Sequence, residues 1–227
     1  MVVNVKDETS AKRRYHSPQR QLQAELTRRK LLDAARRLFA VNGYVATTLP
    51  AIAREAGVSA PTITAIFGTK VALLTALVRL VVGGDEEPMP LVERPWWHAM
   101  LAEPDARRLL AIFAANGRQI HERSADVAEI MQGAATADPE IAAMLRQLAE
   151  GRFRDAQTVA AAVAKQGALA SEVTVEQAAD IIWASGSHDL YRMFVIDRGW
   201  VPQQYEQWLA DSLIHALLDK HGQPREA

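Results

Sequence analysis

"AREAGVSAPTITAIFGTK", residues 53–70, sets a lone glycine four residues after a small Ala53 and follows it with Ser59, Pro61 and the threonines Thr62, Thr64 and Thr69. The stretch holds no Cys or His for a metal, no glycine cluster for a phosphate and too few charges for acid–base work. Two helices that cross steeply need a small residue where they touch, a turn glycine free to take positive φ, and apolar residues pinning the second helix. Ala53 supplies the contact, Gly57 the turn, and Val58, Ile63 and Ile66 or Phe67 the pins. Ala60, Pro61, Thr62, Thr64 and Ala65 are then left on the outer face of the second helix. A surface row without Glu or Lys suits a face that enters a DNA major groove roughly 12 Å wide, where carboxylates are repelled and Thr groups touch base edges. An ordinary helical hairpin with a glycine turn is the other reading of these residues.

The pattern stays helical on both sides. Leu31, Ala34, Ala35, Leu38 and Phe39 recur at three- and four-residue spacing from about residue 20, and Asn42-Gly43 supplies a stop. Thr48 caps the next helix, with Pro50 in its first turn. Ser59 caps a third with Pro61 in its first turn, and Thr69 a fourth from Lys70 to about Val82. "GGDEEPMPLVERP" (83–95) reads as a joint. Beyond it, Pro104-Asp105 opens a helix through Leu110, Phe113 and Ile120, weakened at Gly117, and a shorter helix follows around Val127, Ile130 and Met131. An Asp138 cap with Pro139 starts a long helix that stops at Gly167. A capping box from Thr174 to Gln177 opens a helix that runs on through Ile182, Met193 and Ile196. Pro202 opens the last. No β-alternation of useful length and no repeat is present. The expected fold is all-α.

The 227 residues, 49% hydrophobic, suffice for one large or two small domains. With no Cys there is no disulfide or thiolate chemistry, which fits a reducing compartment. The apolar runs are too short to span a bilayer, and the N-terminus is polar, so a cytoplasmic location is expected. Charge is divided along the chain: residues 1–82 carry 13 Lys and Arg against 5 Asp and Glu, and residues 83–227 carry 13 against 22. The basic end is the one expected to meet a polyanion. The organisation expected is a disordered basic arm (1–19), a helix-turn-helix DNA-binding domain (20–82) and a helical ligand-binding and dimerisation domain (83–227). Phosphate contacts are expected from Thr47, Thr48, Ser59 and Thr69 at helix N-termini, from Lys70, and from Arg13 and Arg14 in the arm.

"KLLDAARRLFAVNGYVATTLPAIAREAGVSAPTITAIFGTKVALLTAL" resembles the N-terminal DNA-binding domain of the TetR (tetracycline-repressor-like) family of bacterial transcriptional regulators. The likeness covers about residues 28–78 and rests on Ala34, Phe39, Gly43, Thr47, Ile52, Ala53, Gly57, Val58, Phe67, Lys70 and Leu73. "LYRMFVIDRGWVPQQYEQWLADSLIHALL" is similar to one C-terminal type within that family. The resemblance implies a homodimer with a three-helix DNA-reading head, an effector-binding helical bundle and a dimer face built from the last two helices. It also marks departures: the family commonly has Tyr where Thr64 stands, an aromatic or His where Ile66 stands, and an acidic residue where Val71 stands.

On this reading the partners are a palindromic double-stranded operator, a second copy and a small hydrophobic effector that releases the DNA. Candidate pocket residues are Phe113, Asn116, His121, Met131, Gln132, Phe153, Trp183 and His188. The apolar stripes Ile182, Met193, Tyr205, Trp208, Leu209, Leu213 and Leu217 are expected at the dimer interface. The six His are scattered, so no metal and no cofactor is expected. Two other classes compete. A helical enzyme would need a facing nucleophile–base pair, and "GSHDLY" (186–191) offers Ser, His and Asp only in contiguous positions that do not converge on a helix. A helical adaptor would use the same head to bind protein.

Overall fold

The computed structural model describes residues 18–85 and 89–218; the arm residues Lys12, Arg13 and Arg14 lie outside them. Among the described residues there are ten α-helices and no strand: α1 (Pro18–Ala46), α2 (Leu49–Glu55), α3 (Ala60–Phe67), α4 (Lys70–Gly83), α5 (Pro95–Leu101), α6 (Ala106–Ala135), α7 (Pro139–Lys165), α8 (Val175–Ser185), α9 (His188–Tyr191) and α10 (Pro202–Leu217). No single helix among them is long and apolar enough to cross a membrane.

Most starts are dictated locally by side chains that satisfy otherwise orphaned N–H groups. Thr48 Oγ1 accepts from Ala51 N, Thr69 Oγ1 from Ala72 N, and Asp105 Oδ1 from the amides of Arg107 and Arg108. Asp138 does the same for α7 ahead of Pro139, and Thr174 with Gln177 closes the expected capping box. α1 breaks at Gly43, whose φ of 76° and ψ of 162° no helix interior can hold, so Tyr44–Ala46 is a separate turn.

Two expectations about continuity fail. Residues 106–135 form one helix rather than two, passing through Gly117 unbroken. A mid-helix glycine costs about 1 kcal/mol against alanine, and burial on several sides of α6 outweighs it. Conversely, the helix opened by Thr174 stops at Ser185. There a Cβ on Gly186 would stand 3.1 Å from the Ile182 carbonyl and 3.4 Å from the Phe113 ring. Ser187 Oγ then caps α9 through Leu190 N, and the chain unwinds into a wide π-type turn over Arg192–Asp197 before Gly199 (φ 72°).

α6 is the spine, about 45 Å long at 1.5 Å per residue. Its first half, with Leu109, Leu110 and Ala114, belongs to a core shared with α7, α8 and α10. Its second half, with Val127, Ile130, Met131 and Ala134, is continuous with the core of α1–α4 around Leu31, Phe39, Ile52 and Leu73.

The two glycines make opposite predictions. Gly186→Ala lowers the unfolding free energy by about 1–3 kcal/mol through overpacking. Gly117→Ala, whose new Cβ meets nothing within 4 Å, raises it by up to about 1 kcal/mol. Urea melts of the two variants check the signs.

Candidate nucleic-acid interface and ligand cavity

α2 and α3 meet as the glycine spacing requires. Ala53 is buried, Gly57 takes φ +69°, and Val58 N donates to Ala53 O at 2.9 Å to close the turn. Ser59 caps α3 by accepting from Thr62 N, and the Ser59 and Thr62 hydroxyls lie 2.7 Å apart. Ile63 and Phe67 are both buried, with Val58 and Ile66 packed beside them, so all four residues pin α3. Ala60, Pro61, Thr64 and Ala65 are exposed and Thr62 is half-buried. The outer face is therefore free, small and uncharged. Thr48 and Thr69 are also exposed; each accepts a backbone hydrogen bond and keeps its own hydroxyl proton to give to a phosphate.

Two expected phosphate contacts have other work. Thr47 is only 2% exposed, and its hydroxyl shares its proton between the carbonyls of Gly43 (2.8 Å) and Leu38 (3.2 Å). The Lys70 ammonium donates to the carbonyls of Tyr44 (2.8 Å) and Thr47 (3.0 Å), with Val45 O at 3.4 Å, and lies 4.2 Å from the Tyr44 ring centroid. Its three protons are spent on the broken end of α1. A signal was there to be read: a cation in the first turn of α4 opposes the helix dipole and needs some other partner.

In the body, α4–α8 and His188 enclose a cavity of about 250 Å³. Six of the eight expected residues line it: Phe113, Asn116, His121, Met131, Trp183 and His188. Gln132 does not; it is exposed, one position and 100° round α6 from Met131. Phe153 does not either; it packs edge-on against Trp183, with centroids 6.0 Å apart. Arg152 and Asp155, which the sequence reading passed over, stand in the wall. They fall in the inward stripe of α7, at helical spacing from Leu148 and Ala156, where apolar residues would be expected.

His121 is buried against Tyr191, with ring centroids 5.3 Å apart, and its Nε2 lies 3.2 Å from Gly186 O. Burial pushes its pKa down to about 3, helped by the nearby His188 and Arg152. It is neutral, donating from Nε2 and leaving Nδ1 as an acceptor. Of the contiguous Ser-His-Asp set, Ser187 caps α9, His188 faces the cavity and Asp189 is exposed. They share no site.

Cavity and head are mechanically joined. Val78, Val81 and Val82 of α4 form part of the cavity wall. The Arg123 guanidinium on α6 donates to the last carbonyls of that helix, Val81 O (3.2 Å) and Val82 O (3.0 Å). One turn on, Asp126 takes a two-pronged ion pair from Arg36 of α1 at 2.6 Å on each arm. A third Arg36 bond, 3.0 Å to Arg123 O, closes the node.

The expected dimer stripe needs correction. Ile182, Tyr205, Leu209, Leu213 and Leu217 are all 0% exposed within one chain. α10 lies along α6 and also packs on α8 and the 192–197 turn, so its apolar stripe is covered within one chain. Trp208 is half-buried beside Phe194, and only Met193 of the seven stands out, at 49% exposed. Ile196 and Val201 are the exposed apolar neighbours in sequence.

The sequence profile described as "Bacterial regulatory proteins, tetR family" matches residues 31–77, which span the C-terminal half of α1 through most of α4. The matched segment holds the helix-turn-helix of α2 and α3 and the parts of α1 and α4 that flank it. The solved structures it resembles share its all-α fold. NalD, the secondary repressor of the MexAB-OprM multidrug efflux pump in Pseudomonas aeruginosa, is 21% identical, with a TM-score of 0.64 over 87% of this chain and 100% of NalD. SmeT, the repressor of the Stenotrophomonas maltophilia multidrug efflux pump SmeDEF, is 18% identical, with a TM-score of 0.65 over 87% of this chain and 93% of SmeT. A regulator from Saccharomonospora viridis in complex with choline is 21% identical, with a TM-score of 0.61 over 86% and 100% of the two chains. A comparison with curated proteins returns no match.

Two measurements test these assignments. Lys70→Met removes three donors from the end of α1 and lowers unfolding stability by on the order of 1–2 kcal/mol in a urea melt. His121 regains its ordinary value of 6.5 on unfolding. The unfolded chain then binds more protons below that pH, so stability falls as the medium is acidified. Between about pH 7 and pH 5 the wild type should lose stability more steeply than His121→Phe, by up to about 1.4 kcal/mol per pH unit.

Proposed function

We propose that the chain is a repressor that binds a palindromic operator as a homodimer and leaves it when a small, largely apolar effector enters the cavity. Its division of labour is a DNA-reading head over residues 20–82 and a ligand-binding and dimerising body over 83–227. The observation that carries the reading is the shared helix α4: its first turn holds the end of α1 through Lys70, and its last turns are cavity wall. A ligand that prefers a wider cavity moves α4, and α4 carries the head with it. Linkage then requires that the ligand weaken DNA binding, on a usual scale of about 1–3 kcal/mol.

The exposed uncharged face of α3 suits direct contact with base edges, and the absence of a bulky residue at Thr64 makes it a shallow reader. Phosphate contacts are left to Thr48, Ser59 and Thr69 and to the basic arm. The dimer face includes Met193, Ile196 and Val201, apolar groups near the C-terminal helix that one chain leaves exposed. Two heads set roughly 34–36 Å apart, or a helical turn more, would meet successive major grooves. The likenesses to NalD and SmeT, both described as repressors of efflux pumps, and to structures with triclosan or choline bound agree with a cavity for small organic molecules.

A gel shift with the DNA upstream of the chain's own gene tests the proposal. Sequence-specific retardation that weakens steeply with salt is the expected result. Joint replacement of Thr62 and Thr64 by Ala should relax discrimination between operator and unrelated DNA by roughly 1–3 kcal/mol. No retardation even at low salt would overturn the reading and favour a protein-binding adaptor.

A further inference from the structure

Arg152 and Asp155 stand one turn apart on α7, in the wall of a cavity that is otherwise mostly apolar. The two charges are not equivalent. A buried carboxyl can relieve its desolvation by taking up a proton, and burial does raise the pKa of Asp155. A guanidinium stays protonated at any ordinary pH and must find an answering group. Among the described residues Arg152 forms no ion pair. Its hydrogen bond goes to Trp183 O at 3.3 Å, and its guanidinium carbon lies 5.9 Å from the Trp183 ring centroid. Asp189 and Asp155 act on it through space, and burial outweighs both. His188 adds a second unanswered group. It lines the same cavity, and its Nε2 is buried with no hydrogen-bond partner.

We infer that the cavity takes an amphipathic carboxylate, with its apolar body among Trp96, Trp97, Phe113 and the α4 valines and its anionic end on Arg152 and His188. The guanidinium keeps enough free N–H donors for a two-pronged carboxylate bond, and the imidazole supplies one more. An apolar cation fits less well: the Trp183 face is already shared with Arg152, and the fixed positive charge would repel it. This inference rests on the proposal that the cavity is the effector site.

Decanoate, decanol and decyltrimethylammonium, one chain with three head charges, serve as probes. Each is titrated into the full-length wild type, Arg152→Gln and Asp155→Asn by calorimetry, and each is added to the operator gel shift. The expected result is that decanoate binds the wild type about ten- to a hundredfold more tightly than decanol. The ammonium should be weakest. Arg152→Gln should abolish that preference while leaving decanol unchanged, and Asp155→Asn should keep or strengthen it. Equal binding of the three, preference for the ammonium, or a carboxylate preference that survives in Arg152→Gln overturns the inference. If decanoate binds as expected and leaves the DNA shift untouched, the carboxylate preference of the cavity stands and its assignment as the effector site falls. Should no probe bind, the inference falls while the effector-site proposal is untouched.

Discussion

A single ammonium group holds the head in register. Lys70 sits in the first turn of α4, yet its three protons go to carbonyls where α1 has come apart, at Tyr44, Val45 and Thr47. Burial lowers its pKa, which records what the arrangement costs in lost hydration. The return is that the loop entering α2 has a fixed origin. α2 and α3 are seven and eight residues long. Helices so short have little stability of their own, so their placement must be imposed from both ends. Thr47 ties one end to α1, Thr69 opens α4 at the other, and Lys70 bridges the two.

From that anchor the geometry runs directly into the body. α4 lies between the reading head and the cavity. Its final carbonyls, which have no partners within the helix, are answered by Arg123. Arg36 and Asp126 fix the neighbouring turn of α6 to α1. The end of α4 is thus bonded to a turn of α6 that also holds α1.

Much of this architecture was readable from local chemistry. The caps at Thr48, Ser59, Thr69, Asp105, Asp138 and Thr174 each join residues two or three apart, so the pattern of side chains is enough to place them. The helix-turn-helix was legible for the same reason. The roles of Thr47 and Lys70 were harder, because the Lys70 partners lie 23 to 26 residues away and are backbone atoms that leave no mark on composition. Glycine gave two opposite outcomes, a helix that passes through 117 and one that stops before 186, and composition alone does not tell them apart. The misplaced dimer stripe has a similar origin. Periodicity reports that a face is apolar and not which neighbour covers it, and in α10 the neighbours are α6, α8 and the 192–197 turn.

The spine helix also has a consequence for how such proteins can be recombined. Val127, Ile130, Met131 and Ala134 of α6, with Ile141 of α7, are buried in one cluster with the hydrophobic residues of α1–α4. An excised fragment ending at Gly84, just after α4, would leave that face raw and wet. Moving the helix-turn-helix unit onto a different helical body would thus require transplanting the far half of α6 as well. In physical terms the swappable module is discontinuous in the chain.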